Sequence, residues 1–208
     1  MRTVKLTDLP EKFTAVIAHL KEGNRRFAEN SPAEKDFPAQ RKSLVGGQQP
    51  ETIVLACSDS RMVPEYTFDE DIGSLFVIRD AGNIFGPLTL GSIEYAAGNL
   101  GSKVFLVLGH TNCGAVIAAL DGAGDTPFIK KIAEELEPAV SIAKSRNLPR
   151  EDTINEAIYE NVRMQMKKSA ETSELLRGCV EKGSLAIIGG IYDLESGKVE
   201  FLDKAIIA

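Results

Sequence analysis

Two rhythms of apolar residues run along the chain. From about Glu11 to Glu29, Phe13, Val16, Ile17, Leu20 and Phe27 mostly follow helical spacing, which predicts an amphipathic N-terminal helix. A polar stretch with Pro32, Pro38, Gly46, Gly47 and Pro50 follows. Four short, almost continuous runs of Val, Ile and Leu come next: Thr52–Cys57, Leu75–Arg79, Val104–Gly109 and Leu185–Ile191. Runs of this kind mark strands buried on both faces by helices, as in a parallel sheet. The segment GPLTLGSIEYAAGNLG, with helical spacing, supplies a crossover between the second and third. Long helical patterns cover roughly Ile129–Ser145 and Thr153–Glu181. The closing GGIYDLESGKVEFL reads as strand, turn, strand, so Val199–Leu202 is expected to be an antiparallel edge strand. The expected fold is α/β: one domain over 1–208, with a mostly parallel β-sheet flanked by α-helices. Residues 1–45 form a helical arm and 46–208 the core; no internal repeat interrupts this layout.

Composition narrows the options. The 208 residues suffice for one domain with a sizeable core, and 43% hydrophobic with 26% charged is ordinary for a globular protein. A net charge of -6 disfavours nucleic acid and anionic membrane as partners, since both need a positive face. The charged N-terminal segment has no signal-peptide core and no stretch is long enough to span a bilayer, so a cytoplasmic location is expected. Cys57, Cys113 and Cys179 are an odd count. In a reducing compartment they form no disulfide framework, and some are available as thiolates.

The chemistry gathers at strand ends, where open parallel sheets place their functional groups. The first strand ends in Cys57-Ser58-Asp59-Ser60-Arg61 and the third in Gly109-His110-Thr111-Asn112-Cys113-Gly114. If these strands are parallel neighbours, two thiols and an imidazole converge on one point. That soft set suits zinc, and three protein ligands leave a tetrahedral ion one open position, the mark of a catalytic site. Water there acquires a pKa of about 7 in well-studied zinc hydrolases. Two thiolates cancel the ion's formal charge and acidify water less than three imidazoles would, which makes a nearby carboxylate useful. Asp59 stands two residues from a ligand, and Arg61 is placed to hold it ionised by a forked pair. Blander readings exist for each part: a strand-end cysteine often only packs, and Asp59 with Arg61 alone would be a structural ion pair. The Gly-rich GHTNCG turn could cradle a phosphate, but it has neither the Walker pattern nor G-x-G-x-x-G. Cys179 and His19 are expected to be packing or surface residues.

CSDSR at Cys57–Arg61 and GHTNCG at Gly109–Gly114 resemble the paired motifs of the β-class carbonic anhydrases. GSLFVIRDAGN, LGSIEYAAGNLG and GSLAIIGGIYDLESGKVEF are similar to segments in the same order in that family, and the N-terminal EGNRRF fits as well. The resemblance implies one zinc per subunit, held by Cys57, His110 and Cys113, and reversible hydration of carbon dioxide to bicarbonate and a proton through a zinc-bound hydroxide. It implies two dispositions of Asp59: paired with Arg61, or swung onto the metal as a fourth ligand in a closed form. Gln48, Phe76, Tyr95 and Gly114 match substrate-pocket positions, and Ala81 a small apolar one. Asp80 stands where many members have asparagine, a modest departure. The resemblance further implies a homodimer or homotetramer with the pocket built across an interface. In it, the N-terminal helix embraces the neighbour through Phe13, Val16 and Leu20.

With two histidines in the chain, one of them a ligand, no histidine shuttle is expected, and proton release should depend on buffer. Three rivals share parts of this pattern. They are a carbon disulfide or carbonyl sulfide hydrolase on the same fold, a non-catalytic zinc- or bicarbonate-binding protein, and a nucleotide-binding α/β module.

Overall fold

The computed structural model describes residues 1–122 and 124–208. Six strands form one sheet: β1 Arg2–Lys5, β2 Thr52–Ala56, β3 Leu75–Arg79, β4 Val104–His110, β5 Ala186–Tyr192 and β6 Val199–Ile207. Their order is β1-β6-β5-β4-β2-β3. The β3–β2–β4–β5 pairings are parallel and the β5–β6 and β6–β1 pairings antiparallel. Every residue of β2, β4 and β5 is buried, which is why those segments lack the alternation of a sheet with one wet face.

The helices are α1 Glu11–Ala28, α2 Phe37–Ser43, α3 Pro64–Thr67, α4 Pro87–Gly98, α5 Gly114–Leu120, α6 Pro127–Ser145, α7 Arg150–Thr172 and α8 Glu174–Glu181. α1 packs on α3 and β4, α4 on β2, β3 and α8, and α7 on β4 and β5. Among the described residues no helix is long and apolar enough to cross a membrane.

Three features depart from the expectations above. The polar stretch before β2 contains α2, capped by Asp36, whose carboxylate accepts from the Ala39 N–H at 3.0 Å. The long pattern ending at Glu181 is two helices, because Ser173 takes an extended conformation and caps α8, its hydroxyl accepting from the Leu176 N–H at 3.0 Å. Finally, the C-terminal strand is antiparallel as expected but longer, and β1 lies outside it as the terminal strand of the sheet. Four charged and polar-flanked residues, RTVK, carry too weak an alternation to announce β1; β6 supplies the ladder that makes it a strand.

The N-terminal segment is bound into the core. Phe13, Val16, Ile17 and Leu20 are buried in this chain's own hydrophobic cluster, so the stripe expected to meet a neighbour is already covered. Asn24 of α1 donates to the Thr67 carbonyl at 3.0 Å and the Gly197 carbonyl at 2.8 Å, and accepts from the Val199 N–H at 2.8 Å. The carboxylate of Asp69 receives the Ala33 N–H at 2.9 Å, the Arg26 guanidinium at 2.5 Å and the Lys35 ammonium.

Where α7 packs on β5, position 189 has room only for glycine. A Cβ on Gly189 would come within 2.7 Å of both Leu202 Cδ1 and Val162 Cγ1, and 2.8 Å of Met166 Sδ. Gly189→Ala should therefore cost about 1–3 kcal/mol through overpacking. The expected result is a lower urea midpoint with an unchanged slope; a wild-type midpoint would show that α7 can retreat freely.

Candidate active site

Connections from β2 and β4 leave in opposite directions, β2 towards β3 and β4 towards β5. The crevice past their carboxyl ends is thus the topological switch point of the sheet, where ligands collect in open α/β folds. Ala56 pairs with Leu108 in register, so Cys57 emerges beside the last residues of β4. Cys113 then precedes the first turn of α5.

One ligand atom from each of Cys57, His110 and Cys113 lies within 4.8 Å of the others, and all three residues are buried. The sulfurs of Cys57 and Cys113 are 3.9 Å apart. That is far beyond the ~2.05 Å of a disulfide. It is close to the ~3.8 Å that two Zn–S bonds of about 2.3 Å span at a tetrahedral angle. His110 Nδ1 lies 2.8 Å from the Thr111 carbonyl and therefore carries the proton, leaving the Nε2 lone pair free. Among the described residues the buried Nε2 has no hydrogen-bond partner, an expensive condition that a cation would relieve. Donor types, spacing and the orphaned nitrogen all fit zinc.

A hydrogen bond from Cys113 lowers the Cys57 thiol below its ordinary range, with the Gly82 N–H assisting against burial. The same bond, together with burial, holds the proton on Cys113 well above the ordinary thiol range.

Asp59 sits at the rim, paired with Arg61: Arg61 Nε donates to Oδ1 at 2.9 Å and Nη2 to Oδ2 at 2.7 Å. The Arg61 backbone N–H adds a bond to Oδ1 at 3.0 Å, and Nη2 reaches the Asn112 carbonyl at 3.4 Å. Of the two dispositions weighed for Asp59, this is the arginine-paired one. Its Oδ2 is 3.9 Å from His110 Nε2, so the carboxylate still faces the cluster.

The other sequence-derived positions lie further out. Gln48 is exposed, Phe76 half-buried on β3 and Tyr95 49% exposed, with the Phe76 and Tyr95 rings 6.3 Å apart. No hydrogen bond joins Gln48 to the cluster among the described residues. Gly114 opens α5, and a Cβ there would meet nothing within 4 Å in the single chain. Ala81 is half-buried; Asp80 accepts the Ala81 N–H on its side chain at 2.9 Å. His19 is a surface residue facing the buried Glu70 at 3.1 Å, and Cys179 is half-buried against the core.

Two contributors were not singled out from sequence. Arg79, at the end of β3, donates to the carbonyls of Cys57 at 3.1 Å, Asp59 at 2.6 Å and Met62 at 3.0 Å, stapling the whole CSDSR turn. Gly82, with φ +78°, points its N–H at Cys57 Sγ at 3.3 Å. An arginine closing an apolar strand and a glycine three residues on were the available signals.

By fold and site this is an α/β protein that gathers two thiols and an imidazole at the carboxyl end of a parallel sheet, a donor set that could hold a metal ion. Residues 52–199 match the family model described as carbonic anhydrase. The chain is 37% identical over 193 residues to carbonic anhydrase 2 of Mycobacterium tuberculosis, covering 88% of this chain and 90% of that protein. The solved Coccomyxa β-carbonic anhydrase in complex with acetazolamide superposes with a TM-score of 0.74 at 26% identity, covering 96% of this chain and 90% of that one. The fold is also that of two tetrameric β-carbonic anhydrases of Sordaria macrospora, at TM-score 0.75 and 22% identity over 94% of this chain and 99% of that one. The chain belongs to the carbonic anhydrase family, in its β class.

Arg61 holds the Asp59 carboxyl well below the usual carboxylate range, against the opposing effect of burial. A depressed folded value contributes stability that is present above the unfolded value of about 3.9 and lost as pH falls through the folded one. Arg61 is 54% exposed, so solvent screens the pair and the effect is modest. In metal-free protein, the urea midpoint should fall less between about pH 6 and about pH 2.5 in Arg61→Ala than in wild type. Equal falls would show that the pair contributes nothing.

Proposed function

We propose that this protein catalyses the reversible hydration of carbon dioxide to bicarbonate and a proton, with one zinc ion held by Cys57, His110 and Cys113. The observation that carries this is the buried Cys57–His110–Cys113 cluster with a partnerless His110 Nε2, facing an ionised Asp59. Zinc held by these three residues would supply the Lewis acidity that makes a water easier to deprotonate.

The chain's own groups do the rest. Asp59, kept unprotonated by Arg61, can accept a hydrogen bond but not donate one. At the open side of the cluster it accepts the hydrogen of the attacking oxygen, which turns a lone pair towards the carbon. The Gln48 amide donates to a product oxygen, while Phe76, Tyr95 and Gly114 line the apolar space for the linear substrate. The exposure of Gln48 and Tyr95 in the single chain supports a pocket closed by a second copy, in a homodimer or homotetramer. Neither nucleic acid nor membrane is a partner in this scheme. Free thiols at Cys57 and Cys113 favour a reducing compartment, the cytoplasm.

Metal analysis together with a carbon dioxide hydration assay tests the proposal. Purified protein should carry one zinc per chain, and Cys57→Ser or Cys113→Ser should release it; a serine variant with stoichiometric metal would remove that residue from the ligand set. Asp59→Asn should keep zinc while hydration drops by about a hundredfold or more, and unchanged turnover would take Asp59 out of the mechanism.

A further inference from the structure

α7 buries a row of polar side chains beside its apolar residues. Asn161, Gln165 and Ser169 follow one another at one-turn spacing, none more than 1% exposed. Asparagine is a poor residue for a helix interior, and burying its amide is costly unless every polar atom is used. Asn161 Nδ2 donates to the Gly82 carbonyl at 2.7 Å, and its Oδ1 accepts from Gln165 Nε2 at 3.2 Å. Gly82, in its left-handed conformation, directs its own N–H to Cys57 Sγ at 3.3 Å. A Cβ on Gly82 would come within 3.1 Å of Leu136 Cδ1, so the turn is confined on one side by packing and tied on the other by Asn161.

We infer that Asn161, backed by Gln165, is a positioning residue for the metal centre: it fixes the Gly82 turn whose N–H orients the Cys57 sulfur, and so sets how firmly a thiophilic divalent cation is held. The inference rests on the zinc assignment above. The chain of contacts is directional. Gln165 holds the Asn161 oxygen, which leaves the Asn161 amide hydrogens for Gly82. Gly82, held by its carbonyl, keeps its N–H on sulfur. Partners one shell away from metal ligands of this kind are worth about 10–100-fold in metal affinity. A merely structural Asn161 would satisfy the Gly82 carbonyl and affect stability without touching the metal.

The test compares zinc-loaded wild type, Asn161→Ala and Ser169→Ala for zinc release to a chromogenic chelator. The thiolate-to-metal charge-transfer band is recorded on the same three proteins loaded with cobalt. Ser169 belongs to the same buried row, but its hydroxyl is spent on the Met166 carbonyl at 2.8 Å, so it controls for general loosening of α7. Asn161→Ala should release zinc about tenfold faster. Its cobalt band should move to lower energy, because a thiolate relieved of an N–H donor gives up charge more easily. Ser169→Ala should match wild type on both readouts. Wild-type release and band in Asn161→Ala, or equal acceleration in Ser169→Ala, would overturn the inference. If Asn161→Ala does not fold, Gln165→Leu decides: release about threefold faster supports it, and unchanged release overturns it. Wild type that binds no zinc would instead overturn the metal assignment itself, a failure separate from that of the positioning role.

Discussion

The site depends on the parallel pairing of β2 with β4. Cys57 and Cys113 are 56 residues apart in the chain, yet the Ala56–Leu108 register brings their sulfurs to 3.9 Å. A slip of one residue would turn alternate side chains to the opposite face of the sheet. It would send Cys57 away from His110. Complete burial of β2 and β4 locks that register, since every side chain on both strands would otherwise lose its pocket. The chemistry of the cup is thus held by hydrophobic packing several residues away from it.

Backbone ties convert that register into a rigid rim. The Ser58 N–H donates to the Asp80 carbonyl at 3.2 Å, and the Asp80 N–H to the Ala56 carbonyl at 3.1 Å, lacing the turns after β2 and β3 together. Arg79 adds its three carbonyl contacts from the side. A buried thiolate is costly in an apolar interior, and here the opposing contributions come from N–H and S–H donors aimed at one sulfur. Asp59 and Arg61 do the reverse: they stay near solvent, where an ionised carboxylate costs little and can still face the cluster at 3.9 Å. The division between a dry cup and a wet rim leaves the soft donors buried and the carboxylate near solvent.

The apolar stripe within the first 45 residues is buried against this chain's own core. Amphipathic spacing reveals that a helix has a face to bury, but not against what. Phe13, Val16 and Leu20 find their partners on this chain's own sheet, and Asn24 pins α1 to α3 and to the β5–β6 turn. β1 extends the sheet beyond β6. Exposed Leu88 and Tyr95 on α4 and half-buried Phe76 on β3 lie at the opposite side of the sheet from β1.

The sequence by itself determined the α/β class, the four parallel strands, most helices and the metal-type cluster. Period and residue chemistry are local properties, and Cys57, His110 and Cys113 stand at strand ends visible as apolar runs. It also placed Asp59 and Arg61 as neighbours, because two residues apart is within reach in any turn. Only the tertiary structure decided that Arg79 staples the CSDSR turn, that Gly82 faces sulfur, that Asn161 stands behind Gly82, and that β1 is a strand. Each of these depends on a partner tens of residues away. Long-range backbone hydrogen bonds leave little compositional trace, since any residue offers the same N–H and C=O, and only the fold determines which ones meet.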